Sequence, residues 1–295
     1  AMPGNSAGRS YVMILNHARV QENIPLFLEH RLLALIPIAE GWSVLADTPE
    51  GDKTFRTKSL VLATGGSTAN VFRRLDYDRR LGINLKTSAN PWGNNWDGAD
   101  GDALDIGEKI GLKVTQGNGY QIVPFWGGRV LDYAGGDIYL NAEGERFVDE
   151  NLPWHKIVEV ILEWPKTEFT VITDTQSEKG ATLGVKLLSG IVKKASSIRE
   201  VAVGMGIPEE KLRKTLDEYN QSVEAGRDKF GKTVFTQRIE KPPFYWGKEN
   251  IYVHTSLDGL KTDEEARVLD KDGRVVLGLF AAGEVVGLSL IHISE

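Results

Sequence analysis

Apolar residues recur along this chain with two different periods, and the change from one to the other marks the elements. From Ser10 to about Glu22 the spacing is helical, with Val12, Leu15 and Val20 near one face. Ile24 to Ile38 mixes Leu, Phe and Ile with prolines, which predicts a strand after that helix. Trp42 to Ala46 and Thr54 to Leu62 are β-rich runs separated by Pro49, Gly51 and Asp52, the composition of a hairpin turn. The second run ends in Ala63-Thr64-Gly65-Gly66. Gly93 to Gly101 is crowded with Gly, Asn and Asp, and Ala103 to Ile110 then has helical spacing that stops at Gly111, so a loop feeds a helix N-terminus there. Ile138 to Leu140, the turn Asn141-Ala142-Glu143-Gly144 and Arg146 to Val148 read as a hairpin, and Val171 to Thr173 as a strand. Ser197 to Gly204 and Glu209 to Ala225 read as helices, the second with Pro208 at its first turn and Gly226 at its end. Val268-Leu269 and Val275 to Leu279 predict a last hairpin about Lys271-Asp272-Gly273, running into Ala281-Ala282-Gly283-Glu284.

Composition narrows the chemistry. The 295 residues, 41% hydrophobic, suffice for one large or two modest domains with a real core. The net charge of -6 argues against a nucleic-acid surface, since phosphate binding needs clustered positive charge. Apolar stretches such as Ile157 to Leu162 fall far short of the roughly 20 residues of a membrane helix. Without cysteine, the chain offers no disulfide, thiolate metal site, iron–sulfur ligand or thiol nucleophile, and no metal site is expected. That usage fits a cytoplasmic setting. The first residues show neither a basic segment nor an apolar one of signal-peptide type.

Three segments carry candidate chemistry. Leu62-Ala63-Thr64-Gly65-Gly66 sets small residues after an apolar strand, where a backbone without Cβ atoms lets a cofactor approach; any tight turn also needs glycine. Gly98-Ala99-Asp100-Gly101-Asp102-Ala103 brings carboxylates and free N–H groups to a helix start, either to face a ligand or with Asp100 or Asp102 as a plain N-cap. Gly278 to Glu284 is again a strand running into glycine.

Taken in order, these segments resemble the flavoproteins of the fumarate reductase and succinate dehydrogenase family. The resemblance rests on Ala63 to Gly66, on Ala99-Asp100-Gly101 with Gly111, on Asn141 to Glu150, on Asp258 to Leu269 and on Gly278 to Gly287. It implies an α/β (mixed α+β) fold: a Rossmann-like FAD-binding domain in two segments, residues 1–118 and 254–295, with an α+β capping or substrate domain inserted at 119–253. It also implies that Ala63, Thr64, Gly65, Gly66, Asp100 and Gly101 lie beside the adenosine and pyrophosphate of FAD. Gly283 and Glu284 would lie near the ribityl chain and isoalloxazine. The implied chemistry is hydride transfer between flavin N5 and a C–C or C=C unit next to an electron-withdrawing group of a small-molecule substrate. The electron donor or acceptor is not implied.

The chain also departs from the family. Nothing in Ala1 to Gly66 matches the family's opening strand and GxGxxG turn, so the N-terminal βαβ unit is expected to be missing. Leu288 to Glu295 resemble the translation of a sequencing-library adapter, which would make His292 no site. A fragment lacking that unit is expected to purify colourless, bind FAD weakly and be inactive alone. The family's proton-donating Arg corresponds to Trp154, and its carboxylate-binding His-Pro-Thr to Val123-Pro124-Phe125. Fumarate is therefore an unfavourable substrate, because its charge would be buried unpaired, and a larger, more apolar one fits Tyr120, Phe125, Trp126 and Trp154 better. His254 matches a substrate-binding histidine of the family, and His155 is a second candidate proton donor; His17 and His30 read as structural. A 3-ketosteroid-dehydrogenase-like flavoenzyme and a flavin-free binding domain are the alternatives.

Overall fold

The computed structural model describes residues 7–287 apart from 92, 94–96, 118 and 125–126. Phe125, Trp126 and Leu288 to Glu295 thus lie outside the described residues. Helix α1 (Ala7–Gln21) leads into strands β1 (Arg31–Ile38), β2 (Gly41–Asp47) and β3 (Lys53–Thr57), an antiparallel meander. The run Thr54 to Leu62, expected as one strand, is two. Lys58 and Ser59 interrupt it, and β4 (Leu60–Leu62) leaves the meander for another sheet.

After β4 come α2 (Val71–Tyr77), α3 (Asp102–Lys109), β5 (Tyr120–Pro124) and β6 (Ile138–Leu140). Next are α4 (Trp154–Leu162), β7 (Glu168–Thr173), α5 (Leu183–Leu188) and β8 (Val192–Ala195). Two helices follow, α6 (Ile198–Met205), capped by the Ser197 side chain, and α7 (Glu209–Ala225), bounded by Pro208 and Gly226. The chain then forms the 13-residue β9 (Phe244–Ser256), β10 (Arg267–Leu269) and β11 (Val275–Ala281).

Strand β4 pairs in parallel with β11, Leu60 opposite Leu279 and Leu62 opposite Ala281, although more than two hundred positions separate them. The strands that run into Gly65 and Gly283 are therefore neighbours in one sheet. Strands β5, β9, β7 and β6 form the second large sheet, with β8 also on β9. The hairpin expected at Ile138 to Val148 forms only at its turn, where the Asn141 N–H donates to the Glu145 carbonyl and one antiparallel bridge joins Leu140 to Arg146, while β6 pairs along its length with β7. Arg146 turns inward to Glu150, and that buried ion pair replaces a second strand.

Four apolar clusters fill the described residues, and two of them bear on the site. One gathers Leu35, Trp42, Leu62, Leu104, Leu260 and Leu279. Another gathers Tyr139, Ile157, Ile161, Phe169, Ile251 and Val253 on the face of β7 and β9, and draws in Leu81 and Leu85 from before α3. The apolar run Ile157 to Leu162 is the buried stripe of α4. No helix among the described residues is long and apolar enough to cross a membrane.

Candidate functional site

The two glycine turns meet. A Cβ on Gly66 would lie 2.0 Å from the Ser256 hydroxyl and 2.4 Å from Glu284 Oε1, so only glycine lets the turn after β4 close on these groups. The Ser67 N–H donates to Ser256 Oγ at 3.0 Å, while the Ser256 N–H and hydroxyl donate to Glu284 Oε1 at 2.8 and 3.1 Å. Charge-assisted bonds of this kind fix a carboxylate firmly. The end of β9 thus clamps the turn after β11 to the turn after β4. Ser67 Oγ also lies 3.2 Å from the Tyr120 hydroxyl, which burial holds above the usual phenol range. Gly66→Ala is expected to part Ser256 from Glu284 and to cost about 1–3 kcal/mol by overpacking. An unchanged urea midpoint would show that the turn has room to spare.

The loop before α3 lies alongside. The Ala69 N–H donates to the Ala99 carbonyl, and the Asn70 amide donates to the Asp100 carbonyl while its oxygen caps α2. Gly101, at φ 80°, is the N-cap of α3, so neither aspartate takes the N-cap position. Both carboxylates instead pair with Arg31, at 2.8 Å each, binding β1 to this loop. Partial burial, helped by Asp102, raises the Asp100 pKa against the pull of Arg31.

His254 lies at a break in register. Gln121 pairs with Thr255 and Ile122 with Val253, which leaves His254 as an extra residue on β9, and such bulges re-aim a side chain. The exposed imidazole has Nδ1 2.7 Å from Ser88 Oγ. The backbone of Lys86 and Ser88 is itself bonded on both sides of Val253, each bond 3.0 Å. Ser88 therefore fixes the ring, and Ser88→Ala is expected to alter the tautomer balance of His254. Imidazole nitrogen shifts by NMR, assigned with His254→Gln, would report it; unchanged shifts would show that the serine is a bystander.

Trp154 opens α4 and stacks on Tyr139, with ring centroids 5.9 Å apart at 13°. It lines a cleft of about 390 Å³ together with Pro124, Arg129, Asp132, Lys186 and Glu249. The surround expected to be apolar is thus mixed. The Arg129 guanidinium donates to Asp137 at 3.1 Å and to the Tyr133 carbonyl at 2.8 Å, and Lys186 donates to the Arg129 carbonyl. Burial lifts the Glu249 carboxyl to about 7 and that of Asp137 to about 6. His155 is exposed and does not line this cleft.

The family follows from the sequence as a whole. A family model described as "FAD binding domain" matches residues 5–293. The chain belongs to the FAD-binding domain family. Its relatives include an NADH:acrylate oxidoreductase of Vibrio harveyi, 31% identical over 77% of this chain and 24% of that protein. A probable fumarate reductase of Shewanella frigidimarina is 29% identical over 96% of this chain and 49% of its own length. The structure of the open conformation of a flavocytochrome c3 fumarate reductase superposes with a TM-score of 0.79 at 25% identity, covering 97% of this chain and 51% of that one. The chain thus spans about half the length of these relatives or less. A Cβ on Gly66 meets the chain's own Ser256 and Glu284, while the space beside Gly283 is open, so the turn after β11 leaves room for a ligand and the family match names FAD as the cofactor.

Sequence reasoning missed Ser256, Ser88, Arg31 and Glu249. The first two follow from the bulge and clamp at the end of β9, which no local pattern announces. Arg31 meets its aspartates across about 70 positions of chain.

Proposed function

We propose that this chain is the FAD-holding and capping part of an oxidoreductase that moves a hydride between flavin N5 and a C–C or C=C bond beside an electron-withdrawing group. The observation that supports the reading is the clamp of Gly66, Ser256 and Glu284, which brings together the glycine turns that follow the parallel pair β4 and β11. In this reading the FAD domain comprises residues 1–118 and 254–295, and residues 119–253 form the cap. Ala63, Thr64, Gly65, Gly66, Asp100 and Gly101 hold the adenosine and pyrophosphate side. Gly283 and Glu284 hold the ribityl and ring side, where the Glu284 carboxylate is already oriented by Ser256.

Bound FAD supplies the hydride chemistry. The protein orients the substrate and moves one proton. His254, steadied by Ser88, would hold the electron-withdrawing group, and Trp154 would form an apolar wall where an arginine stands in dicarboxylate reducers. A substrate with one acidic or carbonyl group and an apolar body suits that arrangement better than fumarate.

The test is to reduce the flavin of the full-length parent protein anaerobically and mix it with fumarate, acrylate and aryl-substituted acrylates. Reoxidation by one of the latter with fumarate inert is the expected result. Rapid fumarate turnover would overturn the substrate reading, and a parent that holds no flavin would overturn the function.

A further inference from the structure

Arg31 opens β1, and its guanidinium meets the loop before α3 side-on. Nε and Nη2 donate to the two oxygens of Asp102, and Nη2 also donates to Asp100, each at 2.8 Å. A guanidinium carries five N–H groups in one plane. These bonds engage three of them, and among the described residues the pair on Nη1 meets no acceptor. The side chain is 56% exposed, so two donors stand in a fixed direction and within reach of a ligand.

Those donors stand next to the first glycine turn. A Cβ on Gly65, at φ 78°, would come within 4 Å of Ala99 alone, so the turn is open except where Ala99 closes it. The Ala69 N–H donates to the Ala99 carbonyl, and a Cβ on Gly101 would lie 3.0 Å from the Ser67 side chain. Residues 99–101 therefore rest on the turn after β4, and the aspartates on either side of Gly101 hold Arg31 beside it.

Resting on the FAD reading above, we propose that Arg31 is a cofactor-binding residue, whose Nη1 donates to a phosphate of the dinucleotide while Asp100 and Asp102 aim the guanidinium. Charge makes a cation necessary there. With Asp47 facing Arg31 across the β1–β2 pair, three carboxylates share this corner, and a phosphate brought to it without Arg31 meets like charge. The fork decides why the cation is arginine: one edge serves the aspartates and the other stays free, whereas a lysine ammonium is a single point of charge. Exposed ion pairs add little to stability. The contribution of Arg31 is therefore to be read in binding, and in the half of the cofactor that carries phosphate.

The test compares ligands with and without phosphate. FAD, ADP and riboflavin are titrated calorimetrically into the flavin-stripped full-length parent protein, as wild type, Arg31→Met and Arg31→Lys. Arg31→Met should weaken FAD and ADP about 10–100-fold, the share of one charge-assisted contact, and leave riboflavin within about threefold of wild type. Arg31→Lys should weaken the same two ligands by less. Should Arg31→Met lower the urea midpoint, Arg31→Lys alone carries the comparison. Loss of all three ligands alike, or of none, overturns the proposal and leaves the functional reading standing. A wild-type parent that takes up no FAD removes the functional reading and this role together.

Discussion

Glu150→Ala is expected to destabilise the chain by about 3–5 kcal/mol, the cost of leaving buried charge without its partner. Glu150 is fully buried, and it accepts from Arg146 through Nε at 2.8 Å and a terminal nitrogen at 2.7 Å. It also accepts from Lys232 Nζ at 2.8 Å, where both side chains are at 0% exposure, and from the Tyr139 N–H at 3.3 Å. Asp228 still opposes Arg146 at 2.8 Å in the variant, but two cations lose a shared counter-charge in a place water does not reach. Glu209→Ala breaks the exposed pair with Arg213 and serves as the comparison, with a loss under about 1 kcal/mol. Urea unfolding at fixed pH reads both. A loss below 1 kcal/mol for Glu150→Ala would show that the network is hydrated.

Against Glu249→Gln, the wild-type chain is expected to lose roughly 3 kcal/mol of stability as pH rises from about 4.5 to 8. The carboxyl is lifted from 4.5 to about 7 in the folded chain, so between these values the native state keeps a proton that the unfolded state releases. Stability from this group is therefore complete below the unfolded value and disappears as pH passes through about 7; at about 1.4 kcal/mol per unit, the shift sets the size. Asp137, lifted to about 6 by burial, adds a loss of the same sign at lower pH, but it is present in both proteins and cancels in the difference. Urea midpoints at half-unit pH steps would show two curves diverging. Parallel curves would mean that the carboxyl titrates at its ordinary value.

What was legible in the sequence was what short range dictates. Helix α7 began and ended at Pro208 and Gly226 because proline and glycine act within one turn. The glycine turns were legible because close backbone approach leaves a local mark. Thr54 to Leu62 was misread since a change of sheet leaves no mark in a β-rich run; the partners that divide it, β2 and β11, lie far apart in the chain. Glu249 lies within Lys248-Glu249-Asn250, which reads as a solvated edge. It is buried because the segment before β6 closes over it, and the bond to Arg129 spans 120 positions. The Arg146 to Glu150 segment was recognised as a motif, yet its ion pairs with Lys232 and Asp228 appear only once α7 folds back.

The segment from Lys86 to Ala99 belongs to two places at once. At one end it is bonded to Val253 and reaches His254 through Ser88. At the other, Asp97 accepts from Thr87 and from the Ala99 N–H, just before the loop that starts α3. Thr87 also bridges to Val253, so its bond to Asp97 ties the end of β9 to the loop that starts α3.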